Sequence, residues 1–303
     1  MGFSSGAKTL PALIEDIANQ IIASSANWVD GDPSWTTVGT LNNNARRCLR
    51  FTGDAQDIWI ALECVNSNII TFASSRRGKG LRVTLSSSWD YVNNTYPSQA
   101  SSESQTIIPF QARTGGNTVV ADMGTLLLTY FLWTDATGFT IMAVPEPNAT
   151  DNAQASFICT VERMTAKEYS DGLTNFVCYC QMNHNSIPDG CASYMRGYIR
   201  AFAFMSNQND FKPSGIQFWK GKWYAFKSTG SGKVYFVKPL YCNDAAEYMP
   251  IGQSELFFQY SPESGLVDGD VIAVQGATTK YICKAIQSPN SANTLYYAIK
   301  YVA

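Results

Sequence analysis

Leu126-Leu127-Leu128-Thr129-Tyr130-Phe131-Leu132-Trp133-Thr134, then Asp135-Ala136-Thr137-Gly138, then Phe139-Thr140-Ile141-Met142-Ala143-Val144 reads as two buried strands joined by a tight turn. The turn residues suit a hairpin, and Pro145-Glu146-Pro147-Asn148 stops the second strand. The apolar run is far too short to cross a bilayer as a helix. It therefore belongs to the interior of a sheet.

The same grammar continues outward on both sides. Arg47–Thr52 and Ile58–Val65 predict strands around the turn Gly53-Asp54-Ala55-Gln56. Leu81, Val83 and Leu85 alternate with Arg82 and Thr84, the period of a half-buried strand. Arg76-Arg77-Gly78-Lys79-Gly80 reads as a basic turn, a solvated hairpin tip that can also meet a phosphate or an acidic partner. The polar stretch from Ser86 to Ser104, with Trp89, Tyr91 and Tyr96, predicts a long surface excursion. Ser156–Arg163 and Asn175–Gln181 continue the pattern. Ile216–Trp219 and Trp223–Lys227 flank Lys220-Gly221-Lys222, and Val234–Val237 follows Gly230-Ser231-Gly232. Val271–Gln275, Lys280–Ile286 and Leu295–Val302 form a terminal meander.

One segment departs from this text. Over residues 9–25, Leu10, Leu13, Ile14, Ile17, Ile21 and Ile22 recur at helical spacing. Thr9 can cap the helix, Pro11 fits its first turn, and Glu15 and Asp16 suit its N-terminal half. The stripe needs a partner: either the body of this chain or a neighbouring copy, for which Leu10, Leu13, Ile14, Ile17 and Ile21 are the interface candidates. The fold class is mainly β, with antiparallel sheets in a sandwich or barrel-like body and one N-terminal amphipathic helix. Three parts are expected: residues 1–45 as helix and loop, 46–240 as the main β domain, and 241–303 as a C-terminal meander packed on it.

Composition limits the chemistry. Only 15% of the 303 residues are charged against 13% aromatic, and there is a single histidine. Soluble domains average about 25% charged residues. A net charge of -2 gives nucleic acid and anionic membranes no basic surface to bind. Charge-poor, aromatic-rich surfaces suit contact with other protein copies. Met1-Gly2-Phe3-Ser4-Ser5-Gly6 lacks the pattern of a secretory signal or of a myristoylation site, so synthesis in a cytoplasm without membrane insertion is expected.

No constellation names a reaction, and no enzyme activity, cofactor or metal is expected. Cys178, Cys180, His184 and Cys191 have loosely zinc-like spacing, but two cysteines at i and i+2 on a strand can simply share a core. His184 is the sole histidine available to a nucleophile, and no serine elbow surrounds it. Glu63, Asp90, Asp122 and Glu162 lie on or beside strands and read as solvent-facing or ion-paired carboxylates. Gly230-Ser231-Gly232-Lys233 is followed by Val234 where a phosphate loop has Ser or Thr. Asp30-Gly31-Asp32 and Asp268-Gly269-Asp270 lack calcium-loop spacing and read as turns. Trp219, Trp223 and Tyr224 around a basic turn can form a glycan platform or fill a core. The eight cysteines, Cys48, Cys64, Cys159, Cys178, Cys180, Cys191, Cys242 and Cys283, are read first as buried thiols and alternatively as disulfide candidates in a released particle.

Taken in order, further segments carry a family likeness. They are the helix ending near Trp28, Arg47-Cys48-Leu49-Arg50-Phe51-Thr52-Gly53-Asp54, Ile58-Trp59-Ile60-Ala61-Leu62, and Gly80-Leu81-Arg82-Val83 with Trp89-Asp90. Phe131-Leu132-Trp133-Thr134-Asp135, Gly138-Phe139, Pro145-Glu146-Pro147 and Asp151-Asn152-Ala153-Gln154-Ala155-Ser156-Phe157 follow. Glu162-Arg163, Lys167-Glu168-Tyr169-Ser170-Asp171-Gly172 and Tyr297-Ala298-Ile299-Lys300-Tyr301 complete it. This texture resembles the virion structural proteins of tailed bacteriophages, in particular tail, baseplate or collar components. The resemblance implies a non-enzymatic subunit of a symmetric assembly, located in the virion, whose partners are copies of itself and other virion proteins. The alternatives are a receptor- or carbohydrate-binding module that takes a cell-surface glycan, and a tail-associated glycan hydrolase.

Overall fold

The computed structural model describes residues 2–35, 45–73, 76–86, 88–93, 106–113, 123–146, 156–164, 175–183, 191–199, 211–213, 240–243, 249–260, 264–273, 277–287 and 294–302. The chain starts with β1 (Gly2–Thr9), α1 (Leu10–Ser24) and β2 (Trp28–Asp30), then β3 (Arg46–Phe51), β4 (Ile58–Ala73), β5 (Arg76–Ser86) and β6 (Thr106–Arg113). The hairpin β7 (Leu127–Asp135) and β8 (Gly138–Pro145) leads to β9 (Ser156–Arg163), β10 (Asn175–Asn183) and β11 (Cys191–Ile199). β12 (Phe211–Pro213), β13 (Leu240–Asn243) and β14 (Met249–Gln253) precede the last four strands, β15 (Phe257–Gln259), β16 (Val271–Ala273), β17 (Lys280–Gln287) and β18 (Thr294–Tyr301).

All pairings are antiparallel, and three sheets carry the body. One has the order β1-β7-β8-β9-β10-β11, another β2-β3-β4-β5-β6, and another β15-β18-β17-β16; β12, β13 and β14 form a small separate sheet. Each ends in two edge strands among the described residues, so the body is layered and no barrel closes. The sheets bearing β8 and β4 face one another across the main core. Leu49, Phe51, Ile60, Leu62, Val83 and Leu85 line one side, and Leu132, Ile141, Phe157, Val161 and Phe176 the other. Trp28, Phe51 and Phe176 bridge them, with edge-on ring contacts at 4.9, 5.4 and 5.7 Å.

The opposite face of the sheet bearing β8 is covered too. Trp133, Met142, Ile158, Val177 and Tyr179 pack against Leu256, Phe257, Ile286, Leu295, Tyr297 and Ile299. This explains the largely apolar text of β8 and β9, in which the buried Thr140 and Thr160 hydroxyls bond each other across the two strands. A strand buried on both faces has no solvent side on which to place polar residues. It also makes the C-terminal meander a third layer of the molecule.

Helix α1 lies in the main core. Leu10, Leu13, Ile14, Ile17, Ala18 and Ile21 are each no more than 1% exposed. The candidate interface stripe is thus covered by the chain's own sheets and is not open to a neighbour. Arg47 locks the helix to the sheet through Glu15 at 2.5 Å and Asp30 at 3.1 Å, and it also donates to Asn19 Oδ1. Thr9 stands at the N-cap position, but its side chain makes no capping bond, because its backbone still belongs to β1 and is paired with Leu127.

Four further expectations change. Residues 2–9 form a strand paired with β7, where only helix and loop were expected over residues 1–45. β13 runs across residue 241 and pairs with β12 and β14, so the terminal sheet begins at Phe257. Arg76-Arg77-Gly78-Lys79-Gly80 is the start of β5, paired with β4 and β6, and not a turn. Trp89 is buried within the predicted excursion. The predicted strands between Ile216 and Val237 lie outside the described residues.

Candidate functional site

Among the described residues, a cluster of aromatic and ionic side chains lies on the outer face of β3, β4 and β5. In-register pairing puts Arg46 opposite Glu63, Cys48 opposite Ala61 and Arg50 opposite Trp59. Trp35 and Trp89 close over this face, their rings edge-on at 5.3 Å. Asp32, only 2% exposed, organises them. Its carboxylate accepts the Trp89 indole N–H at 2.7 Å, the Ser34 hydroxyl at 2.6 Å and the backbone N–H groups of Ser34 and Trp35. Burial alone would raise the Asp32 carboxyl; the bonds from Ser34 and Trp89 outweigh it and hold the group below the ordinary aspartate range. Around it, Arg46 stacks on Trp35 at 4.6 Å, Arg50 stacks on Trp59 at 5.1 Å while pairing with Asp57, and Arg82 grips Glu63 with two bonds of 2.6 Å. Trp59 donates to the Tyr91 hydroxyl at 3.3 Å, and Tyr91 is half exposed.

A second polar cluster joins the third layer to the sheet beneath it. Asp135 Oδ2 accepts the Trp133 indole at 3.0 Å and the Lys300 ammonium at 3.0 Å, while Oδ1 takes the Thr137 N–H inside the hairpin turn. Here too burial pushes the carboxyl up; Lys300, Thr137 and Trp133 bring it below its ordinary value. Glu162 is fully buried, accepting the Ser254 hydroxyl at 2.8 Å and the Glu255 N–H at 2.7 Å. Tyr179 and Tyr297 share a hydroxyl contact of 2.9 Å, and Tyr297 also donates to Gln181.

These contacts correct the solvent-facing reading of Glu162. It is an interior fastener between layers. Glu63 is ion-paired as expected, and Asp90 caps its own turn through the Val92 and Asn93 N–H groups. Asp268 and Asp270 shape a turn with Gly269 at φ +90°, and Asp268 accepts from Lys284 and the Ala285 N–H. Asp122, His184, Trp219, Trp223 and Tyr224 lie outside the described residues. The outer-face aromatics were missed in sequence because their meeting depends on Asp32, which reaches Trp89 from a different loop.

Cys48, Cys64, Cys159, Cys178, Cys180 and Cys283 are free and buried in this structure. Cys180 stands directly opposite Cys159, and both share the main core with Cys178. Burial pushes the Cys159 thiol well up, helped by its hydrogen bond with Cys178, and pushes Cys283 up to about 12. Thiolate is the reactive form. Because all six are buried away from reagent, these thiols are expected to stay unmodified by a thiol reagent for hours in the folded protein and to react within minutes in denaturant. Fast labelling of Cys159 in the native state, read by peptide mass spectrometry, would contradict this. The side chains of Cys191 and Cys242 are not among those described. Among the described residues no group of three or more His, Cys, Asp or Glu is placed to hold a metal ion.

The two buried aspartates with depressed carboxyls, Asp32 and Asp135, set an acid limit. A carboxyl whose folded value lies below its unfolded value, about 3.9, stabilises the fold above that pH and loses the contribution as pH falls through the folded value. Stability is therefore expected to be flat from neutrality to about pH 5 and to fall below about pH 4. Asp32→Asn and Asp135→Asn should each lower stability at neutral pH and flatten the acid limb of a urea-denaturation series. An unchanged acid limb would remove these carboxylates as its cause.

β1 pairs with β7 through eight consecutive residues, from Gly2 opposite Thr134 to Thr9 opposite Leu127, and no described strand pairs with its other side. No described helix is long and apolar enough to cross a membrane. Comparison with protein-family models, with curated proteins and with solved structures found no match to this chain.

Proposed function

We propose that this chain is a structural subunit of a phage virion, a tail, baseplate or collar component that works by fixing geometry in a symmetric assembly. The observation that carries the reading is how its charge is used. Lys8, Arg47, Arg50, Arg82, Arg163, Lys284 and Lys300 are each ion-paired within the chain, and Arg46 is stacked on Trp35. In a sequence with only 15% charged residues, pairing these cations within the chain leaves the surface around them with little field. Such a surface neither steers polyanions nor keeps copies apart. The buried carboxylates support the same reading, because Asp32, Asp135 and Glu162 hold loops and layers together through bonds already made. The likeness of the sequence to tailed-phage structural proteins supplies the setting.

Antibody labelling of particles viewed by electron microscopy tests this. Regular, symmetric decoration at one level of a tail is the expected result. Absence from particles, together with a monomer that persists at all concentrations, would overturn it.

A further inference from the structure

A long, open strand edge is a hazard that proteins blunt with proline, bulges, charge or brevity. The other edges here carry such devices. β6 has Pro109 and a register shift near Gly80, β2, β15 and β16 are three residues each, and β11 carries Arg196. β1 has none of them. Its eight-residue ladder with β7 is unbroken, it contains no proline, and its single charge, Lys8, is engaged by Asp16. Alternate residues of a strand turn their N–H and C=O groups to opposite sides, so every second residue of β1 offers both groups away from β7.

We propose that β1 pairs antiparallel with β1 of a second copy about a two-fold axis, joining the two sheets into one continuous sheet. The proposal rests on the assembly reading above and names its partner. The occupant follows from charge. About a two-fold axis, residues at equal distances on opposite sides of the axis face one another across an antiparallel pair, so charges placed symmetrically about it would meet their like. The exposed centre of β1 is Ser5-Gly6-Ala7, small and uncharged. The one cation beside it is neutralised within each copy, and a net charge of -2 opposes approach only weakly. An oppositely charged partner would find nothing there to read.

The test is sedimentation velocity of the full chain over a wide concentration range, beside hydrogen exchange of residues 2–9. The wild type should show a monomer–dimer equilibrium, with β1 amides gaining protection as concentration rises. The double variant Ser5→Lys/Ala7→Lys puts like charges across the axis at exposed positions and should weaken dimerisation at least tenfold. Val267→Lys/Val302→Lys adds the same charge at exposed sites elsewhere and should not. Equal association of all three proteins would overturn the inference and leave assembly to another surface. A wild type that stays monomeric, or exchange over β1 that ignores concentration, would also overturn it. Failure of the pairing alone leaves the assembly reading standing, because that reading falls only if the protein is also absent from particles. If circular dichroism shows that the β1 variant fails to fold, the concentration dependence of wild-type exchange over β1 alone supports or overturns the pairing.

Discussion

Gly138→Ala is expected to destabilise the protein by about 4 kcal/mol or more, because it belongs to the small class of substitutions that force backbone apart. Gly138 opens β8 at φ +146°, and a Cβ built there would stand 2.0 Å from the Val161 carbonyl oxygen. That oxygen is backbone in the adjacent strand of a sheet covered on both faces, so it has nowhere to retreat. The position is confined from other sides too. Gly138 pairs with both Asp135 and Glu162, and the turn is tied down by the Trp28 indole bonding the Ala136 carbonyl and the Arg163 N–H bonding the Thr137 carbonyl. Thermal melts should show a fall on the order of 10 °C. Gly269→Ala is the informative comparison. Its φ is +90°, but nothing lies within 4 Å of the added carbon, so only conformational strain of about 1 kcal/mol is expected. Similar losses in the two variants would show that the approach of Val161 does not govern Gly138.

Ile17→Asp is expected to abolish stable folding. Deleting a buried Ile costs about 2–5 kcal/mol through lost burial and cavity, and a carboxyl left without partners in the same place adds at least about 2 kcal/mol more. The sum is comparable to the whole stability of an ordinary domain, about 5–15 kcal/mol. Ile17 is fully buried within the core that also holds Leu49, Leu132 and Ile141. Circular dichroism should report loss of the native signal, whereas Val302→Asp, at a position 64% exposed, should leave it intact. The experiment separates two roles for an apolar helix. Were the stripe a docking face, Ile17→Asp would give a folded protein that no longer associates. A native melt for Ile17→Asp would therefore return the helix to the surface.

The parts of the fold legible in the sequence are those whose stability is local or whose pattern reports burial directly. The hairpin at Asp135–Gly138, the helix stripe, β9, β10 and the terminal meander all appear within two residues of where periodicity and turn chemistry put their central residues. β1 left no signal. Gly2-Phe3-Ser4-Ser5-Gly6-Ala7-Lys8-Thr9 has no alternation and weak strand propensity, and it is a strand because β7 supplies a straight edge to pair with. β6 was masked by Pro109, which a sheet tolerates at an edge, and β6 is an edge. The basic run at Arg76–Gly80 looked like a turn because its glycines mimic one. Strand pairing on both sides overrides that local preference.

The site followed the same division. Cys178 and Cys180 were legible as core because a spacing of two on a strand must share a face, and both are buried. The Asp32–Trp89 bond joins residues 57 positions apart, and the Glu162–Ser254 bond joins residues 92 apart. No window of sequence contains either.

The amino-acid sequence by itself determined an antiparallel β protein with one amphipathic helix, few charges and no reaction motif, because period, turn chemistry and composition are properties of short stretches. The tertiary structure alone decided that the helix stripe faces inward, that the central sheet is covered on both faces, and that β1 is a long edge to which no other described strand than β7 pairs. Those are questions of what lies opposite a surface. An apolar face needs burial wherever burial is found, and only the packed chain shows which face its own layers already cover.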